Sequence, residues 1–170
     1  ELRIEVLYPE HLEKTVLSAL KEAHPYEEVA YFLQTLSNSH QEIGSGMIGE
    51  LPEAQDPLAV LHHIKSQLGV PVIRHTQLLE KKIKKIAICG GSGSFLLPNA
   101  LAAGADMFVT ADYKYHEFFD ADKQVVIADV GHFESEQFTQ MLLFETITKI
   151  FPNFALHLTE QVTNPIKYLI

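Results

Sequence analysis

The sequence predicts a mixed α/β chain: a ferredoxin-like α+β domain over 1–78, then an α/β domain over 79–170 with a largely parallel sheet. Three observations carry this reading. The first half runs through short strand and helix patterns in the order βαββαβ, the ferredoxin-like arrangement. The charged stretch from Gln77 to Lys85 changes the composition and marks the boundary. Beyond it, apolar runs alternate with helical patterns, as in a parallel sheet buried on both faces.

Each element has its own signal. Leu2, Ile4 and Val6 alternate with polar residues, which reads as a strand ended by Tyr8-Pro9-Glu10. His11 to Ala23 reads as a helix, with Leu12, Val16, Ala19 and Leu20 on one face. Pro25 stops it, because the residue before a proline disfavours helical geometry. Val29 to Leu36 reads as a second strand, Ser37 to Gln41 as a polar turn, and Glu42 to Leu51 as a third, glycine-rich strand. Leu58 to Leu68 is a helix closed by Gly69, and Val70 to Arg74 a fourth strand. In the second half, Ile83 to Cys89, Met107 to Thr110, Val125 to Ala128 and Phe154 to Leu158 read as strands. Phe95 to Ala103, Lys114 to Ala121 and Phe138 to Ile150 read as helices between and after them.

Composition narrows the function. At 170 residues and 46% apolar content, the chain can bury a real core. Net charge is −9, and no basic cluster exceeds Lys81-Lys82-Ile83-Lys84-Lys85, which argues against nucleic acid as the main partner. Cys89 is the single cysteine, so no disulfide framework exists and a reducing, cytoplasmic setting is expected. No apolar run approaches the ~18 residues of a membrane span, and no signal-peptide layout is visible. The chain opens at Glu1 directly on a strand-like pattern, and is expected to be a piece of something longer.

The richest polar cluster is Asp129-Val-Gly-His-Phe-Glu-Ser-Glu136, where a buried strand hands over to a helix. In open α/β sheets ligands bind at that carboxyl end. His132 and Glu136 are four apart and can converge on one ion if the helix begins near Glu134. Imidazole nitrogen with carboxylate oxygen suits zinc, iron or manganese; the plain alternative is acidic residues favoured by the helix dipole. Gly90, Gly91, Ser92 and Gly93 follow another strand. Their amides could hold an anion or phosphate, or the glycines could serve a tight turn. Asp112 to His116 follow a third strand, and His116 reads as a general acid/base or an outer-shell partner, against the alternative of a helix-surface residue. Three polar loops on one sheet edge make a site more credible than any one alone.

Other motifs are set aside. Gly44, Gly46 and Gly49 satisfy G-x-G-x-x-G, but no helix follows, so close backbone approach or a bulge is the better reading. His62 and His63 are adjacent on a helix and do not converge; one is expected to be packed or interfacial and the other solvated. His24-Pro25-Tyr26 reads as a corner, and Cys89 as buried and inert.

Taken together, Cys89-Gly-Gly-Ser-Gly93, Thr110-Ala-Asp-Tyr-Lys-Tyr-His116, Asp129 to Glu136 and Asn164-Pro-Ile166 resemble one family. It is the Nif-three-like family of dinuclear-metal hexameric proteins, often labelled GTP cyclohydrolase type 2 homologues. His24 to Tyr31 and Gly44 to Leu51 resemble the domain inserted in its longer members, which looks like the PII and CutA trimeric folds. The resemblance implies that His132 and Glu136 ligate metal and that His116 lies close by. It implies two divalent ions per intact subunit, with the remaining ligands, including a His-His-Pro motif, in a half that this chain lacks. The chain would then be the inserted domain plus the second half, with an incomplete ligand set. Ala111 stands where the family usually has Gly, and Phe32 where Asp is common. The expected partners are copies of the same chain, with trimer contacts through the first domain and a hexamer for the intact protein. The expected activity is metal-dependent hydrolysis of a phosphate-containing or nucleotide-like small molecule, the isolated piece being inactive. The competing expectation is a non-enzymatic metal-binding scaffold or ligand-sensing regulator.

Overall fold

A computed structural model describes residues 2–38 and 43–169. Contacts divide the chain into two compact units, Glu1–His40 and Gln41–Ile170.

In the first unit a 3-10 turn, Glu10–Leu12, runs into helix α1, Glu13–Ala23. The helix stops at His24, whose amide donates to the Leu20 carbonyl at 3.0 Å. The Tyr26 amide then donates to His24 Nδ1 at 3.1 Å, so His24-Pro25-Tyr26 is a corner. The strands expected over 2–6 and 29–36 are not formed. An alternating pattern becomes a strand only when a neighbour completes its hydrogen-bond ladder, and none does so among the described residues: Leu2 and Ile4 are 97% and 83% exposed. The end of the turn expected over 37–41, and residue 42 of the strand expected after it, lie outside the described residues.

The second unit is built on a five-stranded sheet. Its strands are β1 (Met47–Gln55), β2 (Arg74–His75), β3 (Ile83–Ser92), β4 (Met107–Ala111) and β5 (Val126–Asp129), in the order β1-β3-β4-β5-β2. β3, β4 and β5 are parallel, and β1 and β2 join as antiparallel edges. Residues 43–78 were expected to close a ferredoxin-like domain. Instead Met47 pairs with Ile88 and Arg74 with Asp129, so both edge strands of this sheet come from that stretch. The boundary expected near residue 78 therefore falls within one sheet. Spacing along the chain cannot say which strand a neighbour will choose, and the βαββαβ order is compatible with either partner.

Every residue of β4 and β5 is buried, as continuous apolar runs require. Successive side chains serve opposite faces. Phe108 and Ile127 pack with Leu97 and Ala100 on one face, and Met107, Val109, Val126 and Ala128 pack with Val60 and Leu61 on the other. The second group comes from helix α2, Pro57–Leu68. Its start is written locally: Asp56 accepts from the amides of Leu58 and Ala59 at 2.9 and 3.1 Å, and Pro57 takes the first turn. Its end is Gly69 at φ 63°, whose neighbour Val70 donates back to Lys65. His62 and His63 are both exposed, because Val60, Leu61, Ile64 and Leu68 occupy the inner face; one was expected to be solvated, and the other is not packed.

Helix α3, Leu97–Ala102, is introduced by a 3-10 turn, Ser94–Leu96. The helix expected over 114–121 is a 3-10 segment, Tyr115–Ala121. After β5 the chain makes one isolated turn, α4 (His132–Glu136), before α5 (Thr139–Ile150). No strand forms over 154–158; as at the amino end, no ladder partner is present there among the described residues. No helix among the described residues is long and apolar enough to cross a membrane.

Candidate functional site

Parallel pairing puts the carboxyl ends of β3, β4 and β5 on one edge, and the three loops that leave them touch. From the β5 loop, His132 stands on the first position of α4, with Glu136 one turn later on the same face. His132 Nε2 lies 3.4 Å from Glu136 Oε2. From the β4 loop, Asp112 Oδ2 lies 2.7 Å from His132 Nδ1. A carboxylate only accepts, so Nδ1 carries the proton, and in the neutral ring Nε2 presents its lone pair beside Glu136. From the end of β3, Gly91 packs so closely that a Cβ there would strike the Glu136 carboxylate and lie 3.2 Å from His132 Cε1. The Gly91 amide donates to Ser135 Oγ at 2.8 Å, and that hydroxyl donates to the His132 carbonyl.

The backbone at all three strand ends is left-handed: Gly91 at φ 63°, Asp112 at φ 58° and Gly131 at φ 93°. Glycine adopts such torsions freely, whereas at Asp112 the torsion persists only when surrounding contacts hold it. Asp129 supplies much of that hold. Its buried carboxylate accepts from the Arg74 guanidinium and, at 3.0 Å each, from the amides of Tyr113 and Gly131. Arg74 also donates to the Tyr113 carbonyl at 2.9 Å. One carboxylate thus fixes both the β4 and the β5 loops.

The Asp112 hydrogen bond raises the His132 pKa above the ordinary imidazole value; burial opposes it, and the charges of Asp112 and Glu136 add to the rise. The raised folded-state value means that this contribution to stability is fully present at low pH and lost as pH rises through the folded pKa. An NMR titration of the His132 ring should therefore end above the ordinary range, and Asp112→Asn should bring it down. A ring that titrates at the same pH in both proteins would reject the assignment.

The glycine loop meets the site differently from a phosphate cradle. β3 continues through Ser92, and the 3-10 turn follows it, so no long helix opens at Gly93. The Gly91 amide is occupied by Ser135, and the loop faces a carboxylate, which would repel an anion unless a cation lay between. This geometry favours close approach as the role of Gly90 to Gly93. His116 lies exposed on the 3-10 segment after β4, its ring edge-on to Tyr115 at 5.1 Å. Cys89 is buried with Sγ 3.2 Å from the Ser45 carbonyl, and burial followed by the Glu136 charge raises its pKa. Gly46 would place a Cβ 2.8 Å from the Ile88 carbonyl, the close approach expected for a glycine in that strand.

His132 and Glu136 have the donor types and separation of two ligands on one ion, and Asp112 on Nδ1 matches the carboxylate that orients a metal-bound imidazole. Two ligands fall short of the three or four that a zinc site takes. Among the described residues no group of three or more His, Cys, Asp or Glu side chains is placed to hold a metal ion. Asp112, Arg74 and Ser135 were not singled out as supports of this pair by sequence reasoning. Their partners lie 20, 55 and 44 residues away, so no local spacing announces them.

The Duf34/NIF3 (NGG1p interacting factor 3) family model matches residues 4–165. The chain belongs to this family. Among relatives of this Duf34/NIF3 chain, a Bacillus subtilis protein named GTP cyclohydrolase 1 type 2 homolog is 31% identical over 99% of the chain and 46% of its own length. One of the same name from Halalkalibacterium halodurans is 38% identical over 78% of the chain and 36% of its own length. Among solved structures, a Bacillus cereus protein related to NIF3 superposes with a TM-score of 0.73 at 34% identity, covering 95% of this chain and 46% of that one. Staphylococcus aureus protein SA1388 superposes with a TM-score of 0.72 at 29% identity, with 94% and 46% covered. This family member therefore spans less than half the length of these relatives.

Proposed function

We propose that this chain supplies one wall of a divalent-cation centre, and that the protein containing it is a metal-dependent hydrolase acting on a phosphate-containing or nucleotide-like small molecule. The observation that carries the reading is the 3.4 Å approach of His132 Nε2 to Glu136 Oε2, with Nδ1 held by Asp112. His132 and Glu136 would hold zinc, iron or manganese, two ions per intact subunit, with further ligands from outside the described residues. Such ions lower the pKa of bound water and so supply hydroxide near neutral pH. His116, exposed beside the same edge, would move protons. The relatives' shared name, GTP cyclohydrolase 1 type 2 homolog, agrees with a nucleotide-like substrate. We place the intact protein in the cytoplasm as a homo-oligomer, a hexamer with trimer contacts through the amino-terminal region.

A second reading is favoured by the two-ligand count: a cation-binding scaffold or ligand sensor without turnover. One experiment separates them. Manganese binding by the chain should be weak and should fall at least tenfold in His132→Ala and in Glu136→Ala, a loss of about 1.4 kcal/mol or more. Unchanged occupancy in both variants would remove the ligand assignment. The longer protein is then assayed on phosphoester and nucleotide substrates with and without chelator. Chelator-sensitive turnover supports the hydrolase, and stoichiometric metal without turnover supports the scaffold.

A further inference from the structure

We propose that Asn164 and Tyr168, on the irregular segment after α5, are positioning residues for the His132–Glu136 pair and act through Glu134. The inference rests on the cation reading above for its purpose, but its geometry stands apart from any metal.

α4 is a helix of only five residues, entered by the Ser135 amide donating to the Gly131 carbonyl at 3.0 Å. So short a helix is marginal by itself, because helix formation gains only after its nucleus is complete. Outside contacts must hold it. Ser135 ties one side to the Gly91 amide. Gln137 Nε2 donates to the carbonyls of Leu68 and Glu134 at 2.9 and 3.0 Å. Glu134 supplies the third tie. It is two residues from both His132 and Glu136, hence on the opposite side of the turn, and only 6% exposed. Its Oε1 accepts from Asn164 Nδ2 at 3.2 Å, while Oε2 has no hydrogen-bond partner. Asn164 is itself held, its Oδ1 accepting from the Ile166 amide at 3.0 Å.

Tyr168 closes the other side. A Cβ on Gly131 would strike Glu134 Oε2 and lie 3.3 Å from the Tyr168 hydroxyl, so carboxylate, glycine and phenol share one small space. A buried carboxylate that loses its donor is driven toward water. A cleft of about 310 Å³, bordered by Gly69, Phe133, Glu134, Gln137, Asn164 and Tyr168, gives it room to turn. Any such turn of α4 carries His132 and Glu136 away from Gly91 and Asp112.

The test uses the full chain and needs no metal for its first readout. In Asn164→Ala, hydrogen exchange at the Gly91 and Ser135 amides should speed by about tenfold, the effect of losing a hydrogen bond to a charged group. Exchange at the Val109 amide, in the sheet interior, should not change. Glu134→Ala should match Asn164→Ala, and Glu134→Gln, which keeps an acceptor for Asn164, should restore slow exchange. Tyr168→Ala, which removes the ring that closes the other side, should move Gly91 and Ser135 in the same direction, so the idea survives a failure of Asn164→Ala to fold. His132-dependent manganese affinity should weaken in step with exchange. Unchanged Gly91 and Ser135 exchange, or equal acceleration at Val109, overturns the positioning role while leaving the cation reading intact. Wild-type protein with protected amides but no His132-dependent manganese binding overturns the cation reading and, with it, the role of Asn164 and Tyr168 in it.

Discussion

Asp129→Ala should lower stability by about 3 kcal/mol, the lower end of the range for breaking a buried ion pair. The lower end applies because the two partners differ: the Asp129 side chain is 3% exposed, whereas Arg74 is 56% exposed and can turn to water. Most of the loss comes from the Tyr113 and Gly131 amides, which keep their donors and lose the acceptor. Urea denaturation should show a lower midpoint with an unchanged slope. A loss below about 1 kcal/mol would mean that water replaces the carboxylate and that Asp129 does not hold the loops.

The second large effect is expected at Gly91→Ala. An L-residue in the left-handed region costs roughly 1–2 kcal/mol, and here the new methyl also lands on the Glu136 carboxylate. Glu136 must move, so cation binding should fall at least tenfold, about 1.4 kcal/mol. Gly69→Ala is the matched control. Gly69 has the same φ of 63°, but a Cβ there meets nothing within 4 Å. It should show the backbone cost without the loss of binding. Equal binding losses in the two variants would show that Gly91 acts through stability rather than through contact with the pair.

These predictions divide along a physical line. The helix read over 58–68 was legible because its signals are local: Gly69 ends it in a left-handed turn, and the structure adds an equally local start at Asp56 and Pro57. The strands at 107–111 and 126–129 were legible because burial on both faces demands an unbroken apolar run. The strands expected near the amino end and over 154–158 failed for the converse reason. Apolar alternation states a preference, and a strand exists only with a partner that the preference does not name.

The site follows the same division. His132 and Glu136 lie four residues apart, so the sequence alone determined that they would be neighbours if a helical turn formed there; the turn itself, which begins at His132, is seen only in the structure. The sequence also determined that the glycine loop, the Asp112 loop and the β5 loop would leave parallel strands at one edge. Only the tertiary structure decided that Asp112 would hold the imidazole, that Arg74 and Asp129 would clamp two loops, and that Gly91 would press against Glu136. It likewise assigned residues 43–78 to the edges of the same sheet. Those contacts join residues far apart along the chain, and their energies come from packing and shared burial, which no local spacing encodes.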